Sequence, residues 1–224
     1  MTKGQIVIPK DALEEAASGS AADRIYRGVM RELEQGRLVP GQRLVEPDLA
    51  RRFGVGRNAV REAMQRLSMR GVVDVTPYRS ASIRMLDLSE TLEILDVASA
   101  VTGLVARIAA TRFEPGKHKQ LLKQAMDELN DASADNPTSF SRARRRFYRS
   151  LLQIAANREL TRIFPAIGMH IIYSQYRSPS LQQIRLADYA AIKDAISARD
   201  ADSAEKAGRD HVDHVRSIIL SAAH

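Results

Sequence analysis

Apolar residues return at helical spacing from Ile25 through Val29 to Leu33, and the stretch Ser20-Ala-Ala-Asp just before them has the make-up of a capping box. The pattern predicts a helix through about Gln35, stopped by Gly36 and the Pro40-Gly41 pair. A short helix follows from about Pro47 to Phe53, and Gly54 ends it. A third runs to about Arg70, with Val60, Ala63, Met64 and Leu67 on one side and Arg57, Asn58, Arg61 and Gln65 on another. After Gly71 the period changes from helical to alternating in VVDVTP and again in ASIRM, which suits a hairpin. Helix, helix, three-residue turn, helix and hairpin make a winged helix-turn-helix over residues 20–86. Residues 1–19 hold no sustained period and are expected to form a flexible arm.

From Asp87, a good N-cap, the pattern is helical to the end. Helices are expected at 87–112, 115–132, 137–156, 158–176, 180–198 and 201–222, the third opened by Asn136-Pro137. The fold class is therefore mainly α, with an all-helical effector-binding and dimerisation domain over 87–224. No run in the sequence approaches the roughly 18 apolar residues that span a bilayer, and the start lacks the apolar core of a signal peptide. A cytoplasmic protein is expected.

Charge changes the picture because it is uneven. Of a net +7, residues 20–86 carry +6, from 13 arginines against 7 acidic residues. So local an excess is an electrostatic footprint for a polyanion, double-stranded DNA being the commonest. There are no cysteines, which removes thiol nucleophiles, thiolate metal sites and disulfides. An enzyme working through Tyr148, Tyr189 and His211 would lack a nucleophile, so none is expected.

A helix such as 57–70 fits the major groove, where arginine donates two parallel hydrogen bonds to guanine O6 and N7. Arg57 and Arg61 are the candidate base readers. Asn58 and Gln65, with Arg51 and Arg52 on the preceding helix and Arg79 at the wing, are candidates for further base, sugar or phosphate contacts.

The stretch LVEPDLARRFGVGRNAVREAMQRLSMRGVVDV resembles the DNA-binding domain of the GntR transcription regulators, in particular the FadR-like subfamily that carries a helical ligand domain called FCD. FYRSLLQIAANREL and IKDAISARDADSAEKAGRDHVDHV resemble that ligand domain. The resemblance implies a bacterial regulator, a repressor by preference, that binds a palindromic operator as a homodimer and answers to a small effector. Pro47 stands where many members carry a basic or polar residue, Ala59 where many have proline, and Ser80 where the wing usually has glycine.

Many FCD domains hold a divalent metal through an aspartate, a histidine four residues on, and two later histidines. The matching positions here are Arg144, Tyr148, Tyr189 and His211. A guanidinium repels a cation, so no metal and no cofactor is expected. Arg144 shares helical spacing with Phe140, Phe147, Tyr148, Leu151 and Leu152, which places it on an apolar stripe facing the core. A buried arginine needs an anionic partner, either a protein carboxylate or the acid group of an effector held by Arg144, Tyr148, Tyr189 and His211. His211 can equally be a hydrogen-bonded core histidine. The resemblance further implies an Arg and a Glu in the first helix of this domain, where Ala98 and Thr102 stand, so the pocket is expected to be less polar at that end. Two alternatives stay open: a metal-dependent sensor using His170, His211 and His214, and a constitutive DNA-binding protein with a degenerate pocket.

Overall fold

The computed structural model describes residues 19–75, 80–132, 137–176 and 179–222 and divides into two compact units, residues 1–84 and 85–224. Among the described residues the first is built on three helices. Helix α1 (Ala21–Glu34) begins on Ser20, whose hydroxyl accepts from Asp23 N at 3.1 Å while Ser20 N donates to the Asp23 carboxylate at 2.9 Å. Helix α2 (Glu46–Phe53) ends at Gly54, which adopts φ 61°, a left-handed value that favours glycine and lets the chain turn sharply. Gly56 then leads into α3 (Arg57–Met69). Val60, Ala63, Met64 and Leu67 of α3 are buried, as are Ile25, Val29 and Leu33 of α1, and the two helices pack together.

The expected hairpin is a three-stranded sheet. Strands β2 (Val73–Asp74) and β3 (Ala81–Ile83) pair antiparallel with Val73 opposite Ile83, and β1 (Arg43–Leu44) joins the far edge of β3 with Arg43 opposite Ser82. β1 is two residues long and gives no readable alternation, which is why the sequence pattern missed it. The wing tip, with Tyr78 and Arg79, lies outside the described residues; Ser80 is exposed.

The second unit is helical. Its elements are α4 (Leu88–Thr111), α5 (Pro115–Asp131), α6 (Pro137–Ala155), α7 (Arg158–Ile163), a 3-10 turn (Phe164–Ala166), α8 (Met169–Gln175), α9 (Pro179–Ser197) and α10 (Ala201–Ala222). Asp87 caps α4 as a full capping box with Glu90. The single helix expected over 158–176 is broken in three. Pro165 cannot donate to a preceding turn, and Gly168 sits at φ 88°, so the chain reverses there before α8.

α4 is the central helix and packs most extensively on α10. The crossing is close because both helices present glycine: a Cβ on Gly208 would lie 3.0 Å from the Thr102 carbonyl oxygen and from Gly103 Cα. Among the described residues α4 is also long and apolar enough to cross a membrane by length and composition, contrary to the reading of the sequence. Its inward face instead joins a core with Phe147, Leu151, Tyr189 and Ile192, so its apolar character serves packing. Its outward face does not: Val97 is 53% and Leu104 43% exposed, and Ala100 between them is also exposed.

Candidate functional site

In the first unit, packing the apolar side of α3 turns Arg57, Asn58, Arg61 and Gln65 to solvent together. Neighbouring arginines are used by the fold to different degrees. Arg52 is bound to Glu32 of α1, a buried carboxylate, so it braces α2 against α1 rather than standing free. Arg66 bridges Asp23 at 2.5 Å and Glu62 at 2.6 Å. Arg51 makes only an exposed pair with Asp48 at 2.9 Å, and Arg61 a looser one with Glu46 at 3.6 Å; such surface pairs are worth at most about 1 kcal/mol and break readily for a better acceptor. Arg57 has no ion pair among the described residues. The first turn of α3 carries no acidic residue, and Gly56 supplies no side-chain cap, so the backbone N–H groups of Arg57 and Asn58 and the positive dipole end are open.

In the second unit, Arg144 is buried, as its place on the stripe predicts, and among the described residues it has no carboxylate partner. Its guanidinium carbon lies 3.6 Å from the centre of the Tyr173 ring, and that of Arg185, equally buried, lies 4.5 Å from the same ring. Around them Tyr148, Tyr189 and His211 are buried and in mutual ring contact, with Tyr189 4.8 Å from His211 and 5.8 Å from Tyr148. The four residues expected to share a site are therefore brought together. Ala98 and Thr102, at the positions where the resemblance implies charged groups in other members, are buried as well.

His211 is held by an acid that the sequence reading passed over. Asp188 accepts from Nδ1 of His211 at 3.0 Å and from Nδ1 of His214 at 2.8 Å. Burial pushes the Asp188 carboxyl up, but the two histidine hydrogen bonds outweigh it and hold the group below its ordinary range, so it is ionised. An ionised carboxylate only accepts, which fixes the protons on both Nδ1 atoms. Burial lowers His211, against the pull of Asp188, and keeps it neutral near pH 7; its Nε2 is then an acceptor, buried and without a partner. Burial likewise raises Tyr148 and Tyr189 and keeps their hydroxyls protonated.

These residues do not fit a divalent metal. At the four positions where relatives place ligands stand a guanidinium, two protonated phenols and one imidazole, with a second guanidinium beside them. Both Asp188 oxygens are taken by histidines. Among the described residues no three His, Asp or Glu side chains converge as a ligand set, His170, His211 and His214 included.

Arg185, Tyr173 and Asp188 were missed, and for two of them a signal existed. Leu181, Arg185, Asp188, Tyr189, Ile192 and Ile196 recur at helical spacing on α9 and are all buried, the same argument that singled out Arg144. Tyr173 had none, because its position depends on the break at Gly168.

Comparison with known proteins agrees with both halves. Residues 21–83 match the bacterial regulatory proteins of the gntR family, and residues 93–214 match the FCD domain. A probable D-xylose utilization operon transcriptional repressor of Paenarthrobacter nicotinovorans is 27% identical over 198 residues, 86% of each chain. The HTH-type transcriptional repressor RspR of Escherichia coli K12 is 24% identical, covering 88% of this chain and 87% of its own. Among solved structures, a putative GntR transcriptional regulator from Rhodococcus sp. RHA1 superposes with a TM-score of 0.76 at 20% identity, over 91% of this chain and 99% of that one. E. coli McbR/YncC gives 0.73 at 17%, over 92% and 100%.

Proposed function

The chain belongs to the GntR family of bacterial regulatory proteins and carries its FCD domain, and from that premise we propose that this transcription regulator is a cytoplasmic, ligand-responsive repressor. It binds a palindromic operator as a homodimer and releases it on binding a small organic acid, without a metal. The observation that carries the DNA side is the exposed face of α3, where Arg57, Asn58, Arg61 and Gln65 contribute little or nothing to the packing of their own unit. Arg57 and Arg61 read guanine, Asn58 and Gln65 add base or sugar contacts, and the open amides of the first turn take a phosphate. Arg51 and Arg79 contact the backbone; Arg52 acts mainly through Glu32, by holding α2 in place. Repression is the sign suggested by the two relatives named as repressors.

The apolar outward stripe of α4 supports the homodimer. An apolar stripe of Val97, Ala100 and Leu104 left to water favours a second copy of the same face, and a palindromic site read by one helix per half needs two.

Acid binding reaches the DNA-binding unit through α8. That short helix carries Tyr173 against the two arginines and, two residues on, Gln175, whose side chain both accepts from Leu86 N at 3.0 Å and donates to Leu86 O at 2.8 Å. Leu86 lies two residues after the end of the first unit. An acid that repositions Tyr173 therefore acts on the segment that joins the units, which is how unequal binding to two conformations becomes a change in operator affinity.

Selection of duplex DNA from a random pool by the full-length protein should return an inverted repeat with guanines in each half. Enrichment of single half-sites, or of no sequence at all, would contradict the reading.

A further inference from the structure

A buried guanidinium is tolerated when its charge and its in-plane N–H groups are both answered. Tyr173 answers part of the charge of Arg144 and Arg185 through its ring face, which offers nothing to N–H groups lying in the guanidinium plane. Among the described residues neither arginine has a carboxylate within ion-pair distance. Among the described residues the acid of the cluster is Asp188, and it is occupied by His211 and His214.

The unanswered atoms have a shape. On Arg185 they are Nε and Nη2, the two nitrogens of one side edge of the guanidinium, which together receive both oxygens of a carboxylate or two of a phosphoryl group. Tyr189 Oη is also buried without a hydrogen-bond partner, and its hydroxyl feels the charge of both Arg144 and Arg185. The site also has a charge. Two permanent cations share one aromatic ring, and a ligand with a single negative charge would leave one of them buried and uncompensated.

Resting on the reading of an acid effector, we infer that the ligand is a compact dianion, a dicarboxylate or a phosphorylated small molecule. One acid group sits bidentate on the Arg185 edge, the second charge lies against Arg144, and Tyr189 donates its hydroxyl. His211 takes no part of the charge: its Nε2 is a buried acceptor without a partner, suited to a ligand hydroxyl. Without ligand the two arginines repel each other, and burial and the neighbouring charge of Arg144 both act against the charge on Arg185.

The test uses the full-length protein at fixed ionic strength, by calorimetric titration and thermal melting, with acetate, succinate, inorganic phosphate and glycerol phosphate as probes. Succinate or one of the phosphates should raise the melting temperature of the wild type and acetate should not; which dianion does so tells carboxylate from phosphoryl recognition. Arg185→Gln should weaken the effective probe about ten- to a hundredfold, the range for a lost charged hydrogen-bond pair. Arg185→Lys keeps the charge but not the fork and should weaken it nearly as much. Meanwhile unliganded Arg185→Gln should melt no lower than the wild type, since it removes one of two unpaired buried charges.

Acetate binding as well as the dianions would overturn the charge assignment while leaving an acid effector standing. Unchanged dianion affinity in Arg185→Gln would overturn the site. No shift with any probe, together with a lower melting temperature for unliganded Arg185→Gln, would mean that the arginines are structural, and would remove the acid effector as well.

Discussion

Replacing Arg57 or Arg61 with alanine should cost about 1 to 3 kcal/mol of specific operator affinity per lost bidentate guanine contact, roughly 5- to 150-fold each. Both side chains are exposed, and neither helps bury α3 against α1, so the melting temperature should not move. The two should differ in salt response. Arg61 must leave its 3.6 Å approach to Glu46 to reach a base, whereas Arg57 has no such pair to give up, so Glu46→Gln should improve binding slightly in the wild type and not in Arg61→Ala. As a control, Arg52→Ala should lower stability by leaving the buried carboxylate of Glu32 without its closest cation. Measurement is by equilibrium binding to the selected repeat and to a scrambled duplex at the same salt. A loss of equal size on both would show that these arginines contact phosphate rather than bases.

Leu104→Glu should turn the proposed dimer into monomers. Leu104 is 43% exposed within one chain, so a glutamate there has water to face and the fold of the monomer should survive. Between two copies the same carboxylates would be buried and adjacent, and Arg107, three residues along, is already held by Asp202 and Glu205. Operator affinity should fall by about a hundredfold or more, because each half-site is then bound without the gain from linking the two. Val97→Glu, about two helical turns away on the same stripe, should act alike. Sedimentation of the variants as dimers would place the contact between copies elsewhere.

What the sequence revealed and what it concealed separate by physical cause. Helices with a long apolar stripe and a marked cap were legible: α1 from Ser20 and Ile25, α4 from Asp87, and α6 with Arg144 on its inner face. Two-residue β1 and the broken segment at Pro165 and Gly168 were not, because strand pairing and a left-handed turn are settled by tertiary contacts over too few residues for a period to show. The candidate site was half legible for the same reason. Arg144, Tyr148, Tyr189 and His211 lie on regular helices and were grouped by the resemblance to the FCD domain; Tyr148, Tyr189 and His211 are in ring contact. Tyr173 reaches Arg144 only because α8 restarts after the break, and the question of which anion neutralises Arg144 could not be asked properly until a second arginine stood beside it.

The central claim is that one molecule reads DNA with α3 and an acid with the Arg144–Arg185 cluster, and that the two events oppose each other. The direct measurement is the dissociation constant of the full-length protein for its selected inverted repeat, with and without a saturating dianion that raises its melting temperature, at constant ionic strength. The account predicts that the acid weakens operator binding about 5- to 150-fold, the usual range of such coupling, and that the operator weakens acid binding by the same factor. Equal operator affinity with and without an acid that demonstrably binds would contradict it.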